Sequence, residues 1–532
     1  MKKMMKPKRY NVRTKYMVYA ALLLTLGSCS KKFVTLYPEG QVNEGVFYKT
    51  TSDYQQAIVG AYAPLRTAAN SAFYMEEMRA DNTFFDYNAK DRGGAQSEEL
   101  AEFLDGSDNT TIYTIWSADY QGIQSCDIVL DHIKTPPADM PDSILNSIVG
   151  QAEALRAHYY FELVRLYGSV PLYLHETTDA QNAFVNRSPV DSVYDQIIAD
   201  LTDAIPKLSP PASFPQSGIT TRGMAATELG LVYLTLKQYA QATPLFQSVT
   251  QMGYALLPNY ADVFKTANKN SSESVFEIQY KSGTDGQSSQ FIYDFIPVTP
   301  STGVILGSAS DYNNTAGSWN VPTQNLVTAY EPGDTRLDAS IAVVKGHLDA
   351  QTDFLPDSVV SILNNLDTTG KGMGYTTSLV HRFIKKQYNP PYTTALEYNT
   401  DDDWPVYRYS DVLLMLAESL NEQGQPAAAL PYLNQVRQRA GLPPAMTTDQ
   451  SMLRDTIAHE RRVELAFENH RWFDLVRTGQ AISVMTAYGI LQKQAFGFLL
   501  PTSYNVTQSK MIYAIPFRET QVNPGLGQNP GY

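Results

Sequence analysis

Two stretches of this chain repeat one internal spacing, and that repeat limits the fold more than any other feature. Leu229, Gly230, Tyr233, Ala242, Phe246 and Val249 form the first set. Leu416, Ala417, Leu420, Ala429, Leu433 and Val436 form the second, each 187 positions after its counterpart. In both sets a small residue is followed three positions later by a large one, then nine on by Ala, then four on by Phe or Leu. On helices this spacing places the small residue where two antiparallel neighbours cross, and the large ones fill the groove between them.

Such a hairpin resembles the tetratricopeptide (TPR) repeat. The units are few and far apart, so they cannot stack as a free solenoid, which needs neighbours in contact. The pattern therefore predicts a mostly α-helical, TPR-like hairpin scaffold with long loop-rich insertions and a few short strands. TPR-like helices are expected within about 146–252 and 407–440. Over 146–167, Ala152, Leu155, Tyr159, Leu163 and Leu166 share one face, and Gly168 and Pro171 end the helix. Further helices are expected around Ala57–Leu65, over 111–134, over 191–205 and from about Asp449 to Arg477. Residues 70–110 read as loops. Residues 270–400, rich in Ser, Thr, Asn, Gly and Asp, read as the main insertion, with strand-like runs at Ser274–Tyr280 and Gln290–Val298. Residues 512–532 read as irregular.

The N-terminus carries seven basic residues and no acid before a short apolar run, Met17 to Leu26, that is too short to span a bilayer. It ends in Leu26-Gly27-Ser28-Cys29, which resembles the bacterial lipobox. Residues 1–28 are thus expected to be a lipoprotein signal peptide and 29–45 a tether lipidated at Cys29, with 46–532 forming one domain. Without residues 1–28, 34 basic residues face 54 acidic ones, a net charge of −20. That charge argues against nucleic acid bound through a basic surface. Lipidation of Cys29 leaves Cys126 as the one thiol, so an intrachain disulfide and a multi-cysteine metal site are both excluded.

Catalytic motifs are wanting. Seven His are scattered without His-x-x-x-His spacing. Gly370-Lys371-Gly372-Met373-Gly374 lacks the spacing of a phosphate loop. No cofactor is expected. Asp86, Asn88 and Asp91 suit a calcium loop by type, but Lys90 occupies a ligand position, so an EF-hand is rejected and only a looser structural Ca²⁺ stays open. Glu460, Glu464 and Glu468 stack at four-residue intervals, which is repulsive unless arginines such as Arg461, Arg462 and Arg471 compensate, and this reads as a structural charge network. The clustered acids Glu76, Glu77, Asp401 and Asp403 show no separation into acid and base, as a glycosidase would need.

Three stretches resemble the SusD/RagB family of Bacteroidetes outer-membrane lipoproteins: Trp404-Pro405-Val406-Tyr407-Arg408-Tyr409-Ser410-Asp411, Glu460-Arg461-Arg462-Val463-Glu464-Leu465-Ala466-Phe467-Glu468 and Arg471-Trp472-Phe473-Asp474-Leu475-Val476-Arg477. Asn434 to Gly441, Glu153 to Phe161 and the lipobox agree in order. The resemblance implies a surface lipoprotein that binds oligosaccharide and delivers it to a TonB-dependent SusC-like transporter, without catalysis. Peptide capture, as in the RagB branch, is the alternative; a glycoside hydrolase and a plain TPR adaptor stand further back.

A sugar site needs exposed rings for the C–H faces and planar polar groups for the hydroxyls, each stacking contact contributing about 0.5–1.5 kcal/mol by analogy with aromatic pairs. Two regions have that composition. One contains Tyr74, Arg79, Asp81, Asn82 and Tyr87. The other contains Tyr312, Asn313, Trp319 and Asn320. Trp319, flanked by Gly317, Ser318 and Asn320, is the leading candidate. Trp116 reads as core, and Trp404 and Trp472 as scaffold.

Overall fold

The computed structural model describes residues 47–87, 94–179, 183–308, 311–366, 380–392 and 396–532. Cys29 and the tether, Asn88, Lys90, Asp91 and Gly370–Gly374 lie outside them. The chain divides into a short N-terminal unit ending at Asp53 and a second unit, Tyr54–Tyr532. In the first, the Asp53 carboxylate accepts hydrogen bonds from the backbone N–H groups of Lys49 (2.9 Å) and Thr50 (2.8 Å).

The architecture is mostly helical with few short strands. The main helices are α1 (Thr51–Gly60), α2 (Ala63–Glu76), α3 (Ala95–Glu102), α4 (Thr110–His132), α5 (Asp142–Tyr167), α6 (Val190–Lys207), α7 (Arg222–Thr235) and α8 (Tyr239–Val249). After the insertion come α9 (Tyr409–Glu422), α10 (Pro426–Arg439), α11 (Gln450–Glu464), α12 (Arg471–Arg477) and α13 (Ala481–Ala495). From α4 to α8 each helix packs on the next, α2 packs on α4, and α8 packs on α9. Helix α9 in turn packs on α10 and α11.

The two repeated hairpins are α7–α8 and α9–α10, and they meet directly. Ser419 Oγ donates to the Tyr239 carbonyl (2.9 Å), and Gln423 Nε2 donates to Thr243 Oγ1 (2.7 Å). The small-against-large contact is present: a Cβ on Gly230 would lie 2.5 Å from Phe246 Cε1. Its counterparts Ala417 and Leu433 are fully buried. Helix α5 is buried nearly all round from Ile148 onward, which makes it the central column. Gly168, at φ +73°, ends it.

Three expectations need correction. Residues 70–110 are not all loop: α2 runs on to Glu76 because Ala72, Phe73 and Met75 extend the buried face of Leu65 and Ala69, and α3 follows. Gln290–Val298 is not a strand but holds a helical turn, Phe291–Phe295, buried at every position; so short an apolar run has no periodicity to read. The insertion is also more ordered than its composition implies. In chain order the strands among the described residues are β1 (Thr83–Phe84), β2 (Val170–Pro171), β3 (Arg187–Ser188), β4 (Ser274–Ile278), β5 (Val321–Pro322), β6 (Ile341–Leu348), β7 (Phe354–Ser361), β8 (Val380–Ile384) and β9 (Trp404–Arg408), and β6, β7 and β8 form an antiparallel sheet in the order β7-β6-β8. Ala342, Val344, Phe354 and Phe383 pack there with Ile292, Ile296, Ile305 and Leu306 as a separate core.

The glutamate ladder is a structural network, but its partners differ from those expected. Glu460 pairs with Arg336 (2.6 Å) and Arg437 (2.9 Å). Glu464 pairs with Arg336 and Arg408, both at 3.0 Å, and with Arg439. Glu468 pairs with Arg408 (2.6 Å) and Lys386 (2.5 Å). Burial opposes the charge of Glu464, yet Arg439, Arg408 and Arg336 hold it well below the usual carboxylate range. Arg336 and Lys386 come from the insertion, so the network fastens the insertion to the scaffold.

Candidate functional site

Strands β1 (Thr83–Phe84) and β5 (Val321–Pro322) pair antiparallel, Thr83 with Pro322 and Phe84 with Val321. The pairing brings the residues that follow β1 beside those that precede β5. Asp86 N donates to the Ser318 carbonyl (3.0 Å), and Trp319 N donates to the Asp294 carbonyl (2.9 Å). Ser318 (φ +71°) and Asn320 (φ +55°) both adopt left-handed backbone, so Trp319 projects from a tight, doubly anchored turn.

The Trp319 indole is half-buried. It meets Tyr74 edge-on at 5.5 Å and Phe85 at 6.0 Å. Gly94 abuts it so closely that a Cβ there would lie 2.4 Å from Cζ2. A second arm continues the rings. Tyr87 stacks on Phe498 at 4.1 Å and 15°, and Phe496 stacks on the fully buried Phe84 at 5.4 Å. Tyr74, Tyr87, Phe496 and Phe498 are half-exposed like the indole. The result is a strip of partly exposed rings seated on the buried Phe73, Phe84 and Phe85. From beneath, His381 Nδ1 lies 3.0 Å from Asp86 Oδ2, which ties the strip to β8. Asp86, weighed above as a calcium ligand, thus has a histidine partner.

The polar half of the expected site is another matter. Arg79 is fully buried, donates to the Leu100 carbonyl (2.7 Å), pairs with Asp105 and lies over the Phe103 ring. Asp81 is held by Arg471 (2.8 Å) and Arg462 (3.0 Å). Asn82 donates to Glu77 (3.0 Å) and accepts from Arg462 (2.9 Å). Asn320 is fully buried, with neither side-chain atom hydrogen-bonded among the described residues. All four are buried, Arg79, Asp81 and Asn82 because their bonds are made inside the fold and Asn320 in the turn just before β5, so the expectation that they sit among exposed ligand contacts is corrected. Tyr312 is half-exposed and Asn313 exposed, in the loop that Thr302 N joins through the Tyr312 carbonyl (3.1 Å). The structure brings together Tyr74, Tyr87 and Trp319, and adds Phe496 and Phe498. The signal for the last two was present as Phe496-Gly497-Phe498, two rings around a glycine just past a helix end.

Three of the four acids considered for catalysis hold the backbone in place. Glu77 accepts from the N–H groups of Phe467 (3.0 Å) and Asn469 (3.1 Å). Asp403 accepts from Tyr280 N (2.7 Å), and Asp401 accepts from Ser282 N. Burial pushes Glu76 and Glu77 above the usual carboxylate range. Cys126 is buried, and burial pushes its thiol up. Trp116, Trp404 and Trp472 are buried.

Residues 252–532 match the model of the SusD family, and residues 42–234 match a second model described as starch-binding and associating with outer membrane. A SusD-like protein of Formosa agariphila, P38, is 26% identical over 96% of this chain and 98% of its own. A solved laminarin-binding SusD-like protein superposes with a TM-score of 0.73 at 27% identity, over 91% of this chain and all of that one. Surface glycan-binding protein A of Bacteroides thetaiotaomicron, solved with laminarihexaose, has the same fold, with a TM-score of 0.70 at 23% identity over 90% of this chain and 99% of that one. No helix among the described residues is long and apolar enough to cross a membrane.

Proposed function

The chain belongs to the SusD family, and on that premise we propose that it captures an oligosaccharide at the cell surface. It would hand the glycan to a TonB-dependent SusC-like transporter while anchored to the outer membrane through lipid on Cys29. Residues 46–532 would act as one binding domain, with no bond made or broken. The observation that carries this reading is the strip of half-exposed rings, Tyr74, Trp319, Phe496, Phe498 and Tyr87. Flat ring faces bind the C–H faces of sugars, and a row of them suits a run of residues along a glycan chain better than a single monosaccharide. Tyr312 and Asn313, earlier in the loop that leads to Trp319, would offer hydroxyl and amide groups at its edge.

The test uses residues 30–532 in affinity electrophoresis and calorimetry, starting with laminarin because a relative of 27% identity binds it, then other glycans and a peptide pool. Retention by one glycan class, no released product, and affinity about 3- to 10-fold weaker in Trp319→Ala are expected, the loss of one stacking contact. Binding to peptides alone would overturn the reading. So would product release abolished by changing one carboxylate.

A further inference from the structure

Five arginines, Arg454, Arg461 and Arg462 of α11 and Arg471 and Arg477 of α12, line an open pocket of about 480 Å³. Three of them are neutralised in place. Arg454 is paired with Glu422, Arg477 with Glu418 and Asp474, and Arg461 with Asp411 and Asp474. The other two share a single carboxylate. Arg471 directs Nε and Nη2 to Asp81, at 2.8 and 3.2 Å. Arg462 directs Nε to Asn82 and Nη2 to Asn325 and Asp81. Neither Nη1 has a hydrogen-bond partner among the described residues.

One carboxylate cannot neutralise two guanidiniums. The neighbouring acid, Glu77, does not supply the second charge by contact, since its oxygens are taken by Asn82 and the backbone of Phe467 and Asn469. Burial and the like charge of Arg471 hold the Arg462 guanidinium below its usual range, although Asp81 opposes them. The whole chain carries −13, and Glu418, Glu422, Asp455 and Asp474 also line the pocket, so the local excess of positive charge is confined to the Arg462–Arg471 pair. Guanidinium nitrogens in a forked plane suit an oxyanion held at two points.

We infer that this pocket binds an oxyanion group, a carboxylate or a sulfate, bridged by Arg462 and Arg471. The group could be a free ion or part of an acidic sugar, and the arms below separate the two. The inference is independent of the glycan reading, since loss of laminarin binding would leave it untouched. Residues 30–532 would be titrated with sodium sulfate, sodium glucuronate and glucose against sodium chloride at matched ionic strength, with calorimetry and thermal unfolding as readouts. Saturable binding and a raised Tm with sulfate or glucuronate are expected, with nothing from glucose. Tighter binding of glucuronate assigns the group to an acidic sugar, and tighter binding of sulfate to a free ion or sulfate ester. Arg471→Gln should weaken binding at least tenfold. Asp81→Asn removes the competing carboxylate, so it should bind the anion more tightly and regain stability when it is added, which a purely structural role for Asp81 does not predict. If Asp81→Asn fails to fold, the wild-type chain and Arg471→Gln decide. Anions no better than chloride, or equal affinities in the wild type and Arg471→Gln, would overturn the inference.

Discussion

Phe498 lies flat on Tyr87, and the exposed face of each depends on the other. Phe498→Ala should therefore remove one ring and loosen a second, and aromatic pairs contribute about 0.5–1.5 kcal/mol beyond the area they bury. Glycan affinity is expected to fall about 3- to 10-fold in that variant, read by calorimetry on the glycan that binds the parent, and unchanged affinity would remove the second arm from the site. Residue by residue, legibility followed context. Trp319 stood out because small and polar neighbours placed it in a turn rather than on a helix face. Arg79, Asp81 and Asn82 also suit a sugar site by type, yet each makes its bonds inside the fold. Composition counts polar groups but does not say which way they face, and a buried polar residue with a partner has the same letters as an exposed one.

Strands β4 (Ser274–Ile278) and β9 (Trp404–Arg408) join the edges of the insertion, and their pairing sets Glu277 opposite Pro405, close to Asp403. Burial first, and then the charge of Asp403, pushes Glu277 up to about 7. A carboxyl raised in the folded state keeps a proton that the unfolded chain has already lost. Its stabilising contribution is complete below the ordinary value near 4.5 and disappears as pH rises through about 7. The wild type should lose about 2 kcal/mol relative to Glu277→Gln between pH 5 and 8, measured by chemical denaturation at several pH values. Parallel pH profiles for the two proteins would refute this. At this scale the helices were the legible part. The face of α5 and the repeated hairpins have a period of 3.6 residues sustained over several turns. The β7-β6-β8 sheet was missed because its pairing joins segments dispersed through a polar region, and register is a property of two strands that neither displays alone.

The molecule as a whole is assembled around charge as well as apolar packing. Arg408 precedes α9 and touches Glu273 ahead of β4 and both Glu464 and Glu468 near the end of α11. Arg336 and Lys386 reach the same glutamates from the insertion. Segments more than a hundred residues apart thus share one polar core, nearly all of it removed from water. An ion pair in such a place adds little over a well-packed apolar contact, but losing one partner leaves the other charge buried and uncompensated. Arg408→Met should for this reason cost about 3–5 kcal/mol. Arg454→Met, which breaks the pair with Glu422 through a side chain 47% exposed, should cost no more than about 1 kcal/mol. Unfolding of both variants by denaturant gives the comparison directly. Similar losses would mean that the buried network contributes no more than a surface pair. The insertion would then be held to the scaffold mainly by the β4–β9 ladder and its apolar contacts.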